Sequence, residues 1–181
     1  MAAGATIHTF EVQLADTDRG VYEQLAVRAA RHPSETEAYL VTRLLAYCLE
    51  YQEGIVFSEG ISATDEPAVL VRDLTGKLLV WIEIGAPDAA RLHTGSKAAD
   101  RTVVYTHRDP AKVAAAWAGA KIHRAEDILL HSFDPGFVAA AVEALERRTE
   151  LTLTVTERQI YLELNGVHLS TPIHTQPVAA G

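Results

Sequence analysis

The sequence predicts an α/β fold: a mixed sheet flanked by helices, with an additional small antiparallel sheet built from the terminal strands. Three observations carry that expectation. In the middle of the chain, short apolar runs such as Val103-Val104-Tyr105 and Ile128-Leu129-Leu130 alternate with helical patterns, as strands buried in a sheet between helices do. Near both ends, apolar and polar residues alternate with period two, the mark of half-buried strands. Between them, residues 65–97 read as a hairpin followed by a helix.

Taken in order, Thr6–Leu14 alternates as a strand, and Asp16-Thr17-Asp18-Arg19-Gly20 is a turn. Val21–Arg31 reads as a helix, with Leu25, Ala26 and Ala29 on one face, and His32-Pro33 ends it because proline pushes the preceding residue out of helical geometry. Ser34-Glu35-Thr36-Glu37 matches a capping box that opens the strongest helix, whose apolar stripe through Leu40, Leu44 and Cys48 runs to about Tyr51. In that frame Glu35 sits in the first turn, where a carboxylate complements the helix dipole.

Ile55-Val56-Phe57 is a short strand, and Glu59-Gly60-Ile61 leads to the hairpin. There, Val69-Leu70-Val71 and Leu78–Ile84 are strand formers around the turn residues Asp73-Leu74-Thr75-Gly76. Pro87 and Asp88 start a helix to Ala98 or Ala99; Arg101–Thr106 is a strand, Ala111–Ala118 a helix opened by Asp109-Pro110, and Asp134-Pro135 begins a helix through Leu145. Leu151–Val155, Gln159–Leu164 and Val167–Leu169 form a meander with Asn165-Gly166 as hairpin dipeptide, joined by the N-terminal strand. Residues 172–181 read as a loose tail.

At 181 residues, 48% hydrophobic and 22% charged, the chain is expected to be one ordinary globular domain, 1–181. No run approaches the roughly 20 apolar residues that span a bilayer, and the start lacks the pattern of a signal peptide. The single cysteine, Cys48, excludes an intrachain disulfide and any multi-cysteine metal site. A cytoplasmic protein without a membrane partner is the expectation. The formal net charge of −8 argues against a broad nucleic-acid sheath, though a local basic patch beside an acidic metal centre stays compatible with it.

Glu83 is the most informative residue. It interrupts the run Leu-Leu-Val-Trp-Ile-Glu-Ile, so it is either turned into water or buried against a cation, a donor or solvent. Carboxylates meeting at one point repel unless a cation lies between them, and an all-oxygen set favours Mg2+ or Mn2+. Glu35, Asp65 or Glu66, and Glu83 are candidates for such a set, with Lys97 on the next helix as a candidate to orient water or stabilise developing charge. The eight histidines include no pair at zinc-helix spacing. His32 reads as a helix-end residue, while Trp81, Trp117 and Cys48 read as core.

Arg-His-Pro-Ser-Glu-Thr at 31–36, Asp-Glu-Pro at 65–67, Trp-Ile-Glu-Ile-Gly at 81–85, and Pro-Asp with Arg91 in the following helix resemble the YaeQ family of bacterial proteins over nearly the whole length. The resemblance implies a fold similar to the PD-(D/E)XK, restriction-endonuclease-like nucleases, whose metal site combines a helix glutamate, a hairpin aspartate and an acidic-x-lysine strand motif. Carried over, Glu35 matches the helix glutamate, Asp65 (with Glu66 as rival) the aspartate, and Glu83 the strand carboxylate. Asp73 suits a turn better. Gly85 stands where that superfamily has lysine, and Lys97 is the only lysine in the helix that follows. Three readings follow: a metal-dependent phosphodiesterase on nucleic acid, a non-enzymatic binding or assembly module retaining the acidic pocket, and a structural domain whose carboxylates are solvated or paired with Arg31, Arg43 and Arg91.

Overall fold

In the computed structural model of the chain, which describes residues 4–58 and 66–179, the strands fall into two sheets. The chain gathers into two compact units: Met1–Val41 with Phe133–Ile173, and Thr42–Ser132 with His174–Gly181. The segment Glu59-Gly60-Ile61 and the site candidate Asp65 lie outside the described residues.

The first unit is built on a five-stranded sheet. Its strands are β1 (Thr6–Asp16), β2 (Val21–Arg31), β8 (Arg148–Thr156), β9 (Gln159–Leu164) and β10 (Val167–Pro172), ordered β10-β9-β8-β1-β2. Phe10, Val12 and Leu14 on β1, Leu151, Leu153 and Val155 on β8, and Ile160, Leu162 and Leu164 on β9 all turn to one face and are buried. The expected union of the C-terminal meander with the N-terminal strand is present. The sheet is not wholly antiparallel, because β1 and β8 run parallel.

The helix expected over Val21–Arg31 is a strand instead. All eleven of its residues pair antiparallel with β1, from Asp16↔Val21 to Thr6↔Arg31. Alanine-rich composition favours a helix locally, yet Leu25, Val27 and Ala29 also repeat every second residue, and that period places them over the core beside β1. Pairing with a neighbouring strand outweighs local propensity here.

The next helix, α1 (Glu37–Leu49), starts later than the capping box implied. Thr36 caps it, its Oγ1 accepting the Tyr39 amide at 3.0 Å, while the Ser34 hydroxyl lies 2.8 Å from His32 Nδ1. Glu35 therefore precedes the helix and does not sit in its first turn.

The second unit carries a six-stranded mixed sheet. Its strands are β3 (Ile55–Phe57), β4 (Val69–Arg72), β5 (Leu78–Ile84), β6 (Arg101–Tyr105), β7 (Leu129–Ser132) and β11 (His174–Pro177), ordered β11-β7-β6-β5-β4-β3. β5, β6 and β7 are parallel neighbours, connected in sequence through α2 (Ala89–Ala98) and then α3 (Pro110–Ala115) with a single 3-10 turn at Ala125–Asp127. Both helices begin close to their expected starts, α2 with Asp88 and α3 with Asp109 as N-cap, and α3 ends at Ala115, short of the expected Ala118. β4 and β5 form the expected hairpin, its turn held by Asp73, which accepts from the Thr75 hydroxyl and the Thr75 and Lys77 amides. Those donors, the Thr75 hydroxyl foremost, keep the Asp73 carboxyl below the usual range.

Of the residues expected as a loose tail, His174–Pro177 and Val178 are tied down. β11 pairs antiparallel with β7, and the Val178 amide donates to Ile128 O while its side chain joins a cluster with Leu92, Val104 and Trp117. In the first unit, α4 (Phe137–Glu143) packs against β10.

The β8–β9 hairpin turns through Glu157 and Arg158, both in the left-handed region at φ 51° and 61°, an uncommon conformation for side chains of this kind. The Asp18 carboxylate accepts both amides, at 2.7 and 2.9 Å. Asn165 and Gly166, at φ 47° and 84°, make the second hairpin turn with residues suited to it. Replacing Glu157-Arg158 by Asn-Gly should accordingly stabilise the protein by about 1–2 kcal/mol in reversible unfolding; an unchanged or lowered midpoint would show that Asp18 has already removed the strain.

Candidate functional site: a buried carboxylate held by arginine

β5 is buried on both faces from Val80 to Ile84, and Glu83 is only 3% exposed. The alternative of a glutamate turned into water is overturned. Trp81 and Glu83, two residues apart, share the face of β5 that meets α2. On α2, Arg91 and Gly95 are four residues apart and so lie on one side of the helix.

Gly95 sits flush on the Trp81 indole, so that a β-carbon there would fall 2.6 Å from its ring atoms. That close approach brings Arg91 over Glu83. Arg91 Nε donates to Glu83 Oε2 at 2.7 Å and its Nη2 to Oε1 at 3.0 Å, a two-pronged ion pair. The same Nη2 donates to the Glu66 main-chain carbonyl at 2.8 Å, so one guanidinium joins α2, β5 and the segment entering β4. Asp88 completes the corner by accepting the Arg91 amide at 2.8 Å.

Burial pushes the Glu83 carboxyl above its usual value; the hydrogen bonds and charge of Arg91 pull the other way, Asp88 adds to the rise, and the Ala68 amide opposes it. The net upward direction shows that desolvation outweighs even a bidentate partner. A carboxyl whose folded value is raised binds its proton more tightly in the native protein. Its contribution to stability is fully present below the usual glutamate range and is lost as pH rises through the raised value.

The candidates from sequence are distributed as follows. Glu83 is the centre of the arrangement. Glu66 is half-exposed and contributes its carbonyl to Arg91, while its carboxylate stands 4.0 Å from Arg72 Nη2. Glu35 is buried in the first unit, ahead of α1, with its carbonyl accepting from Arg31 Nη1 at 2.9 Å. Lys97 is exposed in the last turn of α2, about 9 Å further along the axis than Arg91 and about 120° around it, so the helix does not carry it to Glu83. Arg43 donates to the Ala68 and Ser58 carbonyls and lies over the Phe57 ring.

Among the described residues, no group of three or more His, Cys, Asp or Glu side chains is placed to hold a metal ion. Both Glu83 oxygens already accept from Arg91, so a divalent cation there would first have to displace a guanidinium in bidentate contact. The described residues, which do not include Asp65, do not as arranged fit Mg2+ or Mn2+. Gly85, in the slot considered for lysine, has φ 84°, a backbone conformation that glycine adopts freely and lysine does not.

One buried group escaped the reading from sequence. Glu50, just past α1, is paired with Arg101 and accepts from the Tyr105 hydroxyl at 2.5 Å. No motif marked it, because its partners lie on a strand some fifty residues away.

Fold and site together define a mixed α/β protein with two mixed sheets, in which an arginine on a crossover helix neutralises a carboxylate buried in a central strand. The chain belongs to the YaeQ family: the family model for YaeQ protein matches residues 1–173. It is 31% identical over 182 residues to the uncharacterized protein YaeQ of Salmonella typhi, covering 98% of this chain and 99% of that one. Over 111 residues it is 35% identical to the uncharacterized protein YaeQ of Escherichia coli K12, covering 61% of each. Among solved structures, YaeQ protein from Xanthomonas axonopodis pv. citri superposes with a TM-score of 0.86 at 26% identity, covering 96% of this chain and 98% of that one. YaeQ protein from Pseudomonas syringae gives 0.83 at 31% identity, over 94% and 95%.

Removing Arg91 leaves a buried, uncompensated carboxylate. Arg91→Ala should cost about 3–5 kcal/mol, whereas the double variant Glu83→Gln/Arg91→Met should recover most of it; equal losses in both would show that packing, not charge, is at stake. The Arg91→Ala deficit should deepen as pH rises above the usual glutamate range and Glu83 ionises, and Glu83→Gln should remove that dependence. Gly95→Ala should cost about 1–3 kcal/mol by overpacking against Trp81, read as a lowered unfolding midpoint.

Proposed function

We propose that the protein is a nuclease-like relative whose acidic site has been converted from metal binding to internal charge neutralisation, and that it acts as a non-enzymatic binding or assembly module. The observation that carries this reading is the Glu83–Arg91 pair: the carboxylate matched to the nuclease strand position accepts both of its strong hydrogen bonds from a guanidinium. Gly85 in the lysine slot and the remote position of Lys97 support it, since neither leaves an ammonium group beside Glu83. The acidic balance of the chain, −8, favours a protein partner over a nucleic-acid backbone. No helix among the described residues is long and apolar enough to cross a membrane, and we place the protein in the cytoplasm.

A second reading, Mg2+- or Mn2+-dependent hydrolysis of phosphodiesters in nucleic acid, is favoured by one observation. Glu83 is a buried carboxylate of raised proton affinity, the type of group that active sites exploit. A plasmid and single-strand cleavage assay with Mg2+ and Mn2+ separates the two. The expected result is no cleavage above the level of Glu83→Ala protein, and no metal-induced rise in melting temperature that Glu83→Gln abolishes. Cleavage lost in Glu83→Ala, or saturable stabilisation lost in Glu83→Gln, would establish the hydrolytic reading instead.

A further inference from the structure

The edge of β2 is unlike the other sheet edges. β3 has three residues, β11 has four and ends at Pro177, and β10 has six and ends at Pro172. β2 runs for eleven residues with no proline or glycine, no lysine and no register shift against β1, and it is the last strand of its sheet. Because a row of main-chain donors and acceptors invites another strand, sheets ordinarily blunt such an edge with a bulge, a proline or a charge; β2 has neither bulge nor proline, and its charges are Glu23, Arg28 and Arg31.

The side chains specify which strand. Tyr22, Gln24, Ala26, Arg28 and Ala30 are exposed on the outer face; Leu25, Val27 and Ala29 lie on the core face, with Glu23 and Arg31 on that same face toward the two ends. Glu23 is exposed, and among the described residues neither Glu23 nor Arg31 has an oppositely charged partner. The hydrogen bond that Arg31 makes goes to the Glu35 carbonyl, and its buried Nε has none.

We infer that β2 pairs antiparallel with β2 of a second copy of this chain, in the register that sets Glu23 opposite Arg31. A two-fold axis normal to the sheet keeps core face with core face, so only residues of like parity can stand opposite each other. Glu23 and Arg31 are the strand's one pair of opposite charges sharing a face. Aligning them puts the axis at Val27, sets Leu25 against the partner's Ala29 and Ala26 against the partner's Arg28, and forms the ion pair twice. The pairing rests on the first unit alone and stands or falls independently of the metal question. A strand pair of this size is small beside the roughly 1,200 Å2 of a stable interface, so the dimer is weak and concentration-dependent.

Sedimentation equilibrium on the full chain over a dilution series tests this. The wild type should show a reversible monomer–dimer equilibrium, and Glu23→Arg should raise the dissociation constant about tenfold or more, because two pairs become repulsive together. Arg31→Glu should do the same. Mixing the two variants should restore dimer, since each heterodimer sets opposite charges together at both contacts. Where Arg31→Glu fails to fold by circular dichroism, Ala26→Cys protein mixed with Arg28→Cys protein replaces it and should form an intermolecular disulfide under mild oxidation. A wild type that is monomeric at every concentration, a dimer indifferent to Glu23→Arg, or folded variants that fail to complement or cross-link would overturn the inference.

Discussion

A carboxylate buried in a strand with apolar neighbours cannot stay charged without a partner, and the site in the second unit follows from how Glu83 meets that constraint. The solution is one guanidinium delivered from the next helix. For Arg91 to reach, α2 must lie close on β5, and that closeness depends on Gly95 against Trp81. Its orientation depends on Asp88 fixing the first turn. The contact to the Glu66 carbonyl then draws the chain entering β4 into the same network. Glu66, Trp81, Glu83, Asp88, Arg91 and Gly95 thus serve a single electrostatic requirement.

The chemistry available at such a centre is narrow. A carboxylate that accepts two hydrogen bonds from arginine is neutralised in place, and a divalent ion, which also needs several oxygen donors at short range, competes poorly for it. The same skeleton of hairpin, buried acid and following helix would serve a metal centre if the arginine were elsewhere. In the proposed reading, conversion of an ion site into an internal salt bridge would keep the strand acid and its burial while removing the Lewis acid. On that proposal, kinship of fold with nucleases and loss of hydrolysis would be compatible in one protein.

Much of this was legible in the amino-acid sequence, and the failures have physical causes. The hairpin, the burial of β5 and the start of α2 follow from Asp73-Leu74-Thr75-Gly76, from the Leu78–Ile84 run and from Pro87-Asp88. Glu83 was conspicuous because it was polar where its neighbours were not. Its partner was less so: Arg91 was one of three arginines with equal claims, and only the packing of Gly95 on Trp81 distinguishes it. β2 misled because Leu25, Ala26 and Ala29 satisfy a helical period while Leu25, Val27 and Ala29 satisfy a strand period, and the choice is made by β1, a non-local partner. β11 was invisible for a related reason, since His-Thr-Gln-Pro has little strand propensity of its own and is ordered by the open edge of β7.

The most direct measurement is the Nε–H resonance of Arg91 in a nitrogen-15 NMR spectrum, followed through a Mg2+ titration. With the guanidinium as the permanent partner of Glu83, that proton stays protected from solvent exchange and its shift does not move at saturating Mg2+. A saturable shift with loss of protection, absent in Glu83→Gln, would mean that the carboxylate surrenders arginine for metal, and would contradict internal charge neutralisation as the role of the pair.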